Sequence, residues 1–171
     1  MRFIEKIIDL KALKHPQKYI FQSLIGMLTM LVVLVFLDVL THTGIISTLA
    51  ATSFIVWTRP HSYSADPRRL IGGTSVGMLV GVFSSHFAKI PWVITLFGGP
   101  SSSFAFFGSL TVFLTIFIMV ITDTEHPPAA GISLSLVLNQ WSYGTLAFVM
   151  SVILVISFLR SKLRPYMIEL R

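Results

Sequence analysis

LIGGTSVGMLVGVFSSHFAKIPWVITLFGGPSSSFAFFGSLTVFLTIFIMVIT, running from Leu70 to Thr122, carries a single formal charge, Lys89. The stretch from Tyr19 to Thr58 is just as bare, with Asp38 alone. A soluble chain of 171 residues cannot hide two such runs and still cover its surface with polar groups. Lipid must be the solvent for these segments, and because lipid offers the backbone no hydrogen bonds, the spans must be helices. Whole-chain composition agrees. Apolar types make up 54% and charged types 12%, against roughly 25% charged in a soluble domain. The fold class is an all-α integral membrane protein.

Working outward from that stretch, four spans are clear: Ile20 to Val39, Leu70 to Phe87, Phe104 to Ile121 and Thr145 to Leu159. Two further apolar stretches are short. Gly44 to Trp57 and Pro128 to Asn139 hold 14 and 12 residues, about 21 and 18 Å of helix against roughly 30 Å of hydrocarbon. Each fits a short span, a re-entrant half-helix or a buried turn. Charge placement chooses between these. Twelve of the thirteen Lys and Arg residues lie before the first span, in the loop after Trp57, or in the tail. If both short stretches cross, all twelve share one side of the membrane. If the stretch after Pro128 does not cross, the split is eight to five. The positive-inside rule favours six crossings with both termini cytoplasmic.

The expected organisation is a basic amphipathic segment over residues 1–18, a transmembrane domain over 19–160 and a basic tail over 161–171. In the first segment Phe3, Ile4, Ile7 and Ile8 recur at helical spacing, which predicts an interfacial helix ending near His15-Pro16. The same segment has no short apolar core followed by a small-residue cleavage site, and its acidic residues argue against a transit peptide. A bacterial inner membrane is the simplest home.

Several function classes drop out. There is no cysteine, so disulfides, Cys-type zinc sites and thiol catalysis are excluded. The five His residues lack metal-ligand spacing, and no phosphate loop, dinucleotide fingerprint or nucleophile elbow occurs. No cofactor is expected. The net charge of +6 is segregated as membrane topology requires, which speaks against nucleic acid as a partner.

Two regions echo each other. Thr58-Arg59-Pro60-His61-Ser62 and Thr122-Asp123-Thr124-Glu125-His126-Pro127-Pro128 each end an outside-to-inside helix, pass a His beside Pro, and enter a small-residue helix. That pattern suggests two repeated hairpins related by an axis along the membrane normal. Short spans would let their loops dip below the headgroups, where irregular backbone survives only against protein or a polar cavity. Pro127 and Pro128 suit a first helical turn, and Ala129 opens a helix N-terminus without bulk, a ready anion site. In the other loop Asp66 is an N-cap, and Pro67 starts the helix that carries Gly72 and Gly73. The candidate substrate-binding residues are Arg59, His61, Ser62, Arg68, Gly72, Gly73, Thr122, Thr124, His126, Pro127, Pro128 and Ala129. For Arg68 and Arg69 the competing role is a topology signal against lipid headgroups. Ser101 to Ser103 are expected to cap the fourth helix, and Gly73-x-x-x-Gly77-x-x-x-Gly81 to form a packing face.

The stretch from Pro60 through Gly73, PHSYSADPRRLIGG, resembles the first signature of the HPP family of integral membrane proteins, and His126-Pro127-Pro128-Ala129 resembles the motif that names it. The likeness runs from about Ile20 to Leu159. Tyr63 stands where the family typically has Pro, Asp66 where it has Gln, and Thr74 where a His often follows the glycine pair. Some plant-plastid and cyanobacterial relatives are associated with nitrite transport. The resemblance therefore implies a transporter or channel for a small inorganic anion, nitrite first. Two other hypotheses stand beside it: a non-transporting membrane scaffold, and an intramembrane enzyme using His61 and His126 as acid and base. Six short helices bury limited surface, so a homo-oligomer is expected.

Overall fold

The computed structural model describes residues 10–38 and 42–170. Within them the chain forms eight α-helices: α1 Leu10–Lys14, α2 Pro16–Phe36, α3 Thr43–Thr58, α4 Pro67–Ala88, α5 Pro91–Leu96, α6 Pro100–Ile121, α7 Pro127–Leu138 and α8 Tyr143–Leu163. Single 3₁₀ turns lie at Tyr63–Ala65 and Arg164–Tyr166. Most of the expected N-terminal interfacial helix falls on residues 1–9, outside the described residues; α1 stops just before His15-Pro16.

Five helices open on proline: Pro16, Pro67, Pro91, Pro100 and Pro127. A first-turn residue has no intrahelical use for its N–H, and the proline ring presets φ, so this position suits it. The effect moves two boundaries. Helix α2 starts four residues before the expected Ile20, and α6 starts at Pro100. The serine cap expected for α6 is therefore not what forms. Gly99, at φ 137°, precedes the helix with no side-chain cap, and the Ser103 hydroxyl donates instead to the Ala88 carbonyl at 2.9 Å. Asp66 caps α4 as expected, accepting the Arg68 N–H at 3.3 Å. The short α5 between Lys89 and Phe97 was not foreseen from hydropathy.

Helices α2, α4, α6 and α8 are long and apolar enough to cross a membrane; α3 and α7 are the shorter apolar pair. Contacts fix the direction of each. Gln22 near the start of α2 bonds the Trp57 carbonyl near the end of α3. Gly73, Gly77 and Gly81 of α4 abut His126, Ala129 and Ser133, so α4 and α7 run parallel. Met119 of α6 lies against Gly73 and Ser103 against Ala88, which makes α6 antiparallel to α4. Arg160 meets Pro60 while Trp141 meets Ser85, which sets α8 antiparallel to α4. The six helices thus alternate in direction, and the start of α2 lies at the same end as residues 164–170.

Apolar burial does not drive helix association in lipid, because tails are as apolar as leucine; close packing does. Here glycine supplies it. A Cβ on Gly73 would lie 2.6 Å from the Thr124 carbonyl oxygen, and one on Gly81 would lie 2.8 Å from Ser133 Cα. The Gly73, Gly77 and Gly81 stripe is therefore the packing face expected, turned inward on α7 of the same chain. The two hairpins expected to be equivalent differ in packing: α6 lies along α7, whereas α3 packs on α2 and α7 and hardly touches α4, so the expected repeat does not extend to the helix contacts.

Candidate functional site

The two His-Pro loops meet at one end of the bundle. His126, expected to be extended before Pro127, has φ −133° and ψ 95° and is fully buried. Its Nδ1 faces the Ser64 carbonyl at 3.2 Å, which can only accept, so Nδ1 carries the proton. Its Nε2 lies 3.0 Å from the Thr52 hydroxyl. That hydroxyl also reaches the Thr48 carbonyl at 3.0 Å, so its one proton has two acceptors to choose between. His126 is thereby the pin joining α3, the first loop and α7.

A second junction is ionic. Arg69 Nη2 donates to both carboxylate oxygens of Asp123, at 2.8 and 2.9 Å. Its guanidinium lies 3.2 Å over the Tyr63 ring, and the Tyr63 hydroxyl donates to Asp123. The Tyr63 hydrogen bond, then Arg69, hold the Asp123 carboxyl below its ordinary range, and the bond to Asp123 raises the Tyr63 phenol. Asp123 sits at φ 53°, a left-handed conformation that Asp tolerates better than most residues. Two polar atoms near this junction are buried without a protein partner: Ser62 Oγ in the first loop and Arg69 Nε in the first turn of α4.

The remaining side of the site is closed by the chain ends. Arg160, 3% exposed, donates from Nε and Nη2 to the Pro60 carbonyl at 2.9 and 2.6 Å. Gln22 donates to the carbonyls of Trp57 and Ile168, at 2.6 and 3.0 Å, and accepts from Ile168 N–H at 3.1 Å. Leu170 N–H reaches the Thr58 carbonyl. Residues 167–170 thus run as a strap over the first loop, and Glu169 accepts from the His61 N–H at 2.7 Å.

A family model described as the HPP transmembrane region matches residues 12–162. The chain belongs to the HPP family. No curated protein and no solved structure matches it.

The candidate residues of this HPP protein separate into two groups. His126, Thr124, Gly72, Gly73, Pro128 and Ala129 come together where α4 meets the second loop and the start of α7, with Thr124 against Gly72 and Gly73. The space beside Ala129 is filled by Gly77 of α4, and the Ala129 N–H bonds the His126 carbonyl. Arg59, His61, Arg68, Thr122 and Pro127 lie exposed around this junction, and Ser62 is half-buried among them. His61 and His126 share no hydrogen-bond partner: one pairs with Glu169, the other with Thr52 and Ser64. Among the described residues no group of three or more His, Asp or Glu side chains is placed to hold a metal ion.

Arg69, weighed as a topology signal, turns inward while Arg68 stays at the surface. Helical spacing carried that signal, because Arg69 stands four residues before Gly73 and shares its face. Thr52, Gln22 and Arg160 had no comparable signal. Each acts on a partner more than thirty residues away in sequence.

Proposed function

We propose that this HPP protein is a membrane transporter or channel for a small inorganic anion, with nitrite as the first substrate to test. One observation carries the reading. The Arg69 Nε–H is buried at the joined loops with no protein acceptor. A guanidinium N–H can only donate, so what completes it must be an acceptor, and a small anion suits a cationic donor best. The unpaired Ser62 hydroxyl lies in the first loop, seven residues before Arg69. Arg59 and Arg68 on the exposed rim draw anions toward it, His61 adds a polar ring beside them, and Thr122 and Thr124 add hydroxyls there. Non-helical backbone at the ends of α3 and α7 fits the pattern of transport proteins, in which irregular segments line a polar path.

No ATP-binding loop occurs in the chain, so a gradient supplies any driving force. The protein sits in a bilayer, most simply a bacterial inner membrane with both termini cytoplasmic, and further copies of the chain are its expected partners. The test is nitrite uptake into proteoliposomes holding the purified protein, under a pH gradient and under a voltage. Uptake above that of empty vesicles, reduced in Arg69→Gln, is the expected result. Uptake no faster than empty vesicles under both conditions refutes the nitrite assignment.

A further inference from the structure

A hydroxyl inside a membrane helix has a default partner, the carbonyl three or four residues back on its own helix. Helix α6 follows that default mid-span and at its C-cap: Ser109 donates to Ala105 at 2.9 Å and Thr122 to Ile118 at 2.8 Å. Thr111 and Thr115 do not. Both are fully buried, and neither hydroxyl has a hydrogen-bond partner in the protein. Thr74, on α4 one residue past Gly73, is a third buried hydroxyl of the same kind, nearer the loops.

Register places the α6 pair. Helix α6 is pinned to α4 at both ends, by Met119 against Gly73 and by Ser103 on Ala88. Thr115 and Thr111 lie between these contacts on the same buried stripe, one and two turns in from Met119. They stand at about the levels of Gly77 and Gly81, where α4 meets Ala129 and Ser133 of α7. Both threonines therefore lie deep within the span, at the levels where α4 meets α7. A cavity of about 380 Å³ lies at the foot of α6, where it meets the start of α7, lined by Met119, Ile116 and His126 among others.

We infer that Thr111 and Thr115 form an anion-coordinating step inside the membrane, where two freed O–H donors replace part of the ion's lost water. The charge pattern selects the sign. From Pro67 to Thr122 there is no acidic residue, so nothing in α4 or α6 balances a cation held there. Glu125, the one carboxylate beside the foot cavity, lies before α7 and outside the span. If packing were the only task, valine, of the same shape, would fill both positions without an unpaired polar group. This inference deepens the transport reading and rests on it for the identity of the anion.

The chain has no cysteine, so Thr111→Cys and Thr115→Cys each install a single reporter. A small charged methanethiosulfonate reagent reacts with a thiolate, which requires water at the site. Ser109→Cys, on the exposed face of α6, is the lipid-facing control. Both threonine positions should react faster than the control in native membranes, and sodium nitrite should slow them where sodium gluconate does not. Thr111→Val and Thr115→Val should elute and melt like the parent yet lose uptake by about tenfold or more, the scale of one hydrogen bond to a charged group. Serine at either position should restore uptake. Cysteines as inert as the control, or valine variants transporting at the parent rate, overturn the assignment. If the parent carries no nitrite, the transport reading fails alone, and labelling with protection by nitrite still decides the threonine site.

Discussion

Gly73→Ala tests the joint between α4 and the second His-Pro loop, on which the candidate site depends. The new methyl carbon would lie 2.6 Å from the Thr124 carbonyl oxygen and 2.7 Å from His126 Cβ, with Met119 Sδ at 3.3 Å. Met119 can move aside at little cost. The other two belong to a loop pinned by Thr52, Ser64 and Arg69, and must retreat by about 0.8 Å to reach ordinary contact. Overpacking of this kind costs about 1–3 kcal/mol, and the upper end applies where the obstacle is backbone. Alanine's better helix propensity returns up to about 1 kcal/mol, leaving a net loss of about 2 kcal/mol. Gly26→Ala is the internal control. Its methyl would meet Trp57 and Ser53 at 3.6 and 3.8 Å, ordinary contact, so only the propensity term acts and the variant should be neutral or slightly stabilised. Denaturant unfolding of both proteins in the same detergent measures the difference, and nitrite uptake reads the loop displacement. If Gly73→Ala proves as stable as Gly26→Ala and transports normally, the close approach is not there and the joint has been misread.

His126→Ala leaves the Ser64 carbonyl unpaired and a void beside Thr52, so it should cost about 2–4 kcal/mol, while His61→Ala, exposed and paired only with Glu169, should hardly move the unfolding midpoint. Asp123→Asn keeps the residue's shape and tolerance of positive φ but removes its charge. Because the folded carboxyl titrates below its ordinary value, its stabilisation is complete above about pH 4 and is lost as pH falls through the lowered value. Unfolding midpoints followed into acid should therefore drop less steeply in Asp123→Asn than in the parent, and equal slopes would contradict the pairing with Tyr63 and Arg69. Gln22→Ala strips the strap of its side-chain clasp, so limited proteolysis should cut residues 164–170 sooner while α8 stays intact; an unchanged digestion rate would show that the tail is held by other contacts.

Much of the architecture was legible because lipid leaves the chain few options. Charge-free runs must be helices, prolines must stand where an N–H is spare, and basic residues must gather on one side. These local rules located six helices, the Asp66 cap and the extended His126. They failed at Ser101 to Ser103, where Gly98 and Gly99, at φ 76° and 137°, turn the chain tightly enough for α6 to begin on Pro100. They also left the role of the glycine stripe half-read. Spacing shows that Gly73, Gly77 and Gly81 share a face, yet nothing in the sequence says that α7 of the same chain covers it.

What the sequence by itself determined is the solvent, the class of fold, the approximate spans and the pair of His-Pro loops, because each follows from the composition of a contiguous segment. Tertiary structure alone decided which polar groups are satisfied. Arg69 faces inward and Arg68 outward, Gln22 clasps the strap, and Thr111 and Thr115 are buried without a protein partner while Ser109 is satisfied by its own helix. A hydrogen bond is a relation between atoms brought together by packing. In a bundle where Gln22 bonds residues 35 and 146 positions away, no local pattern encodes it.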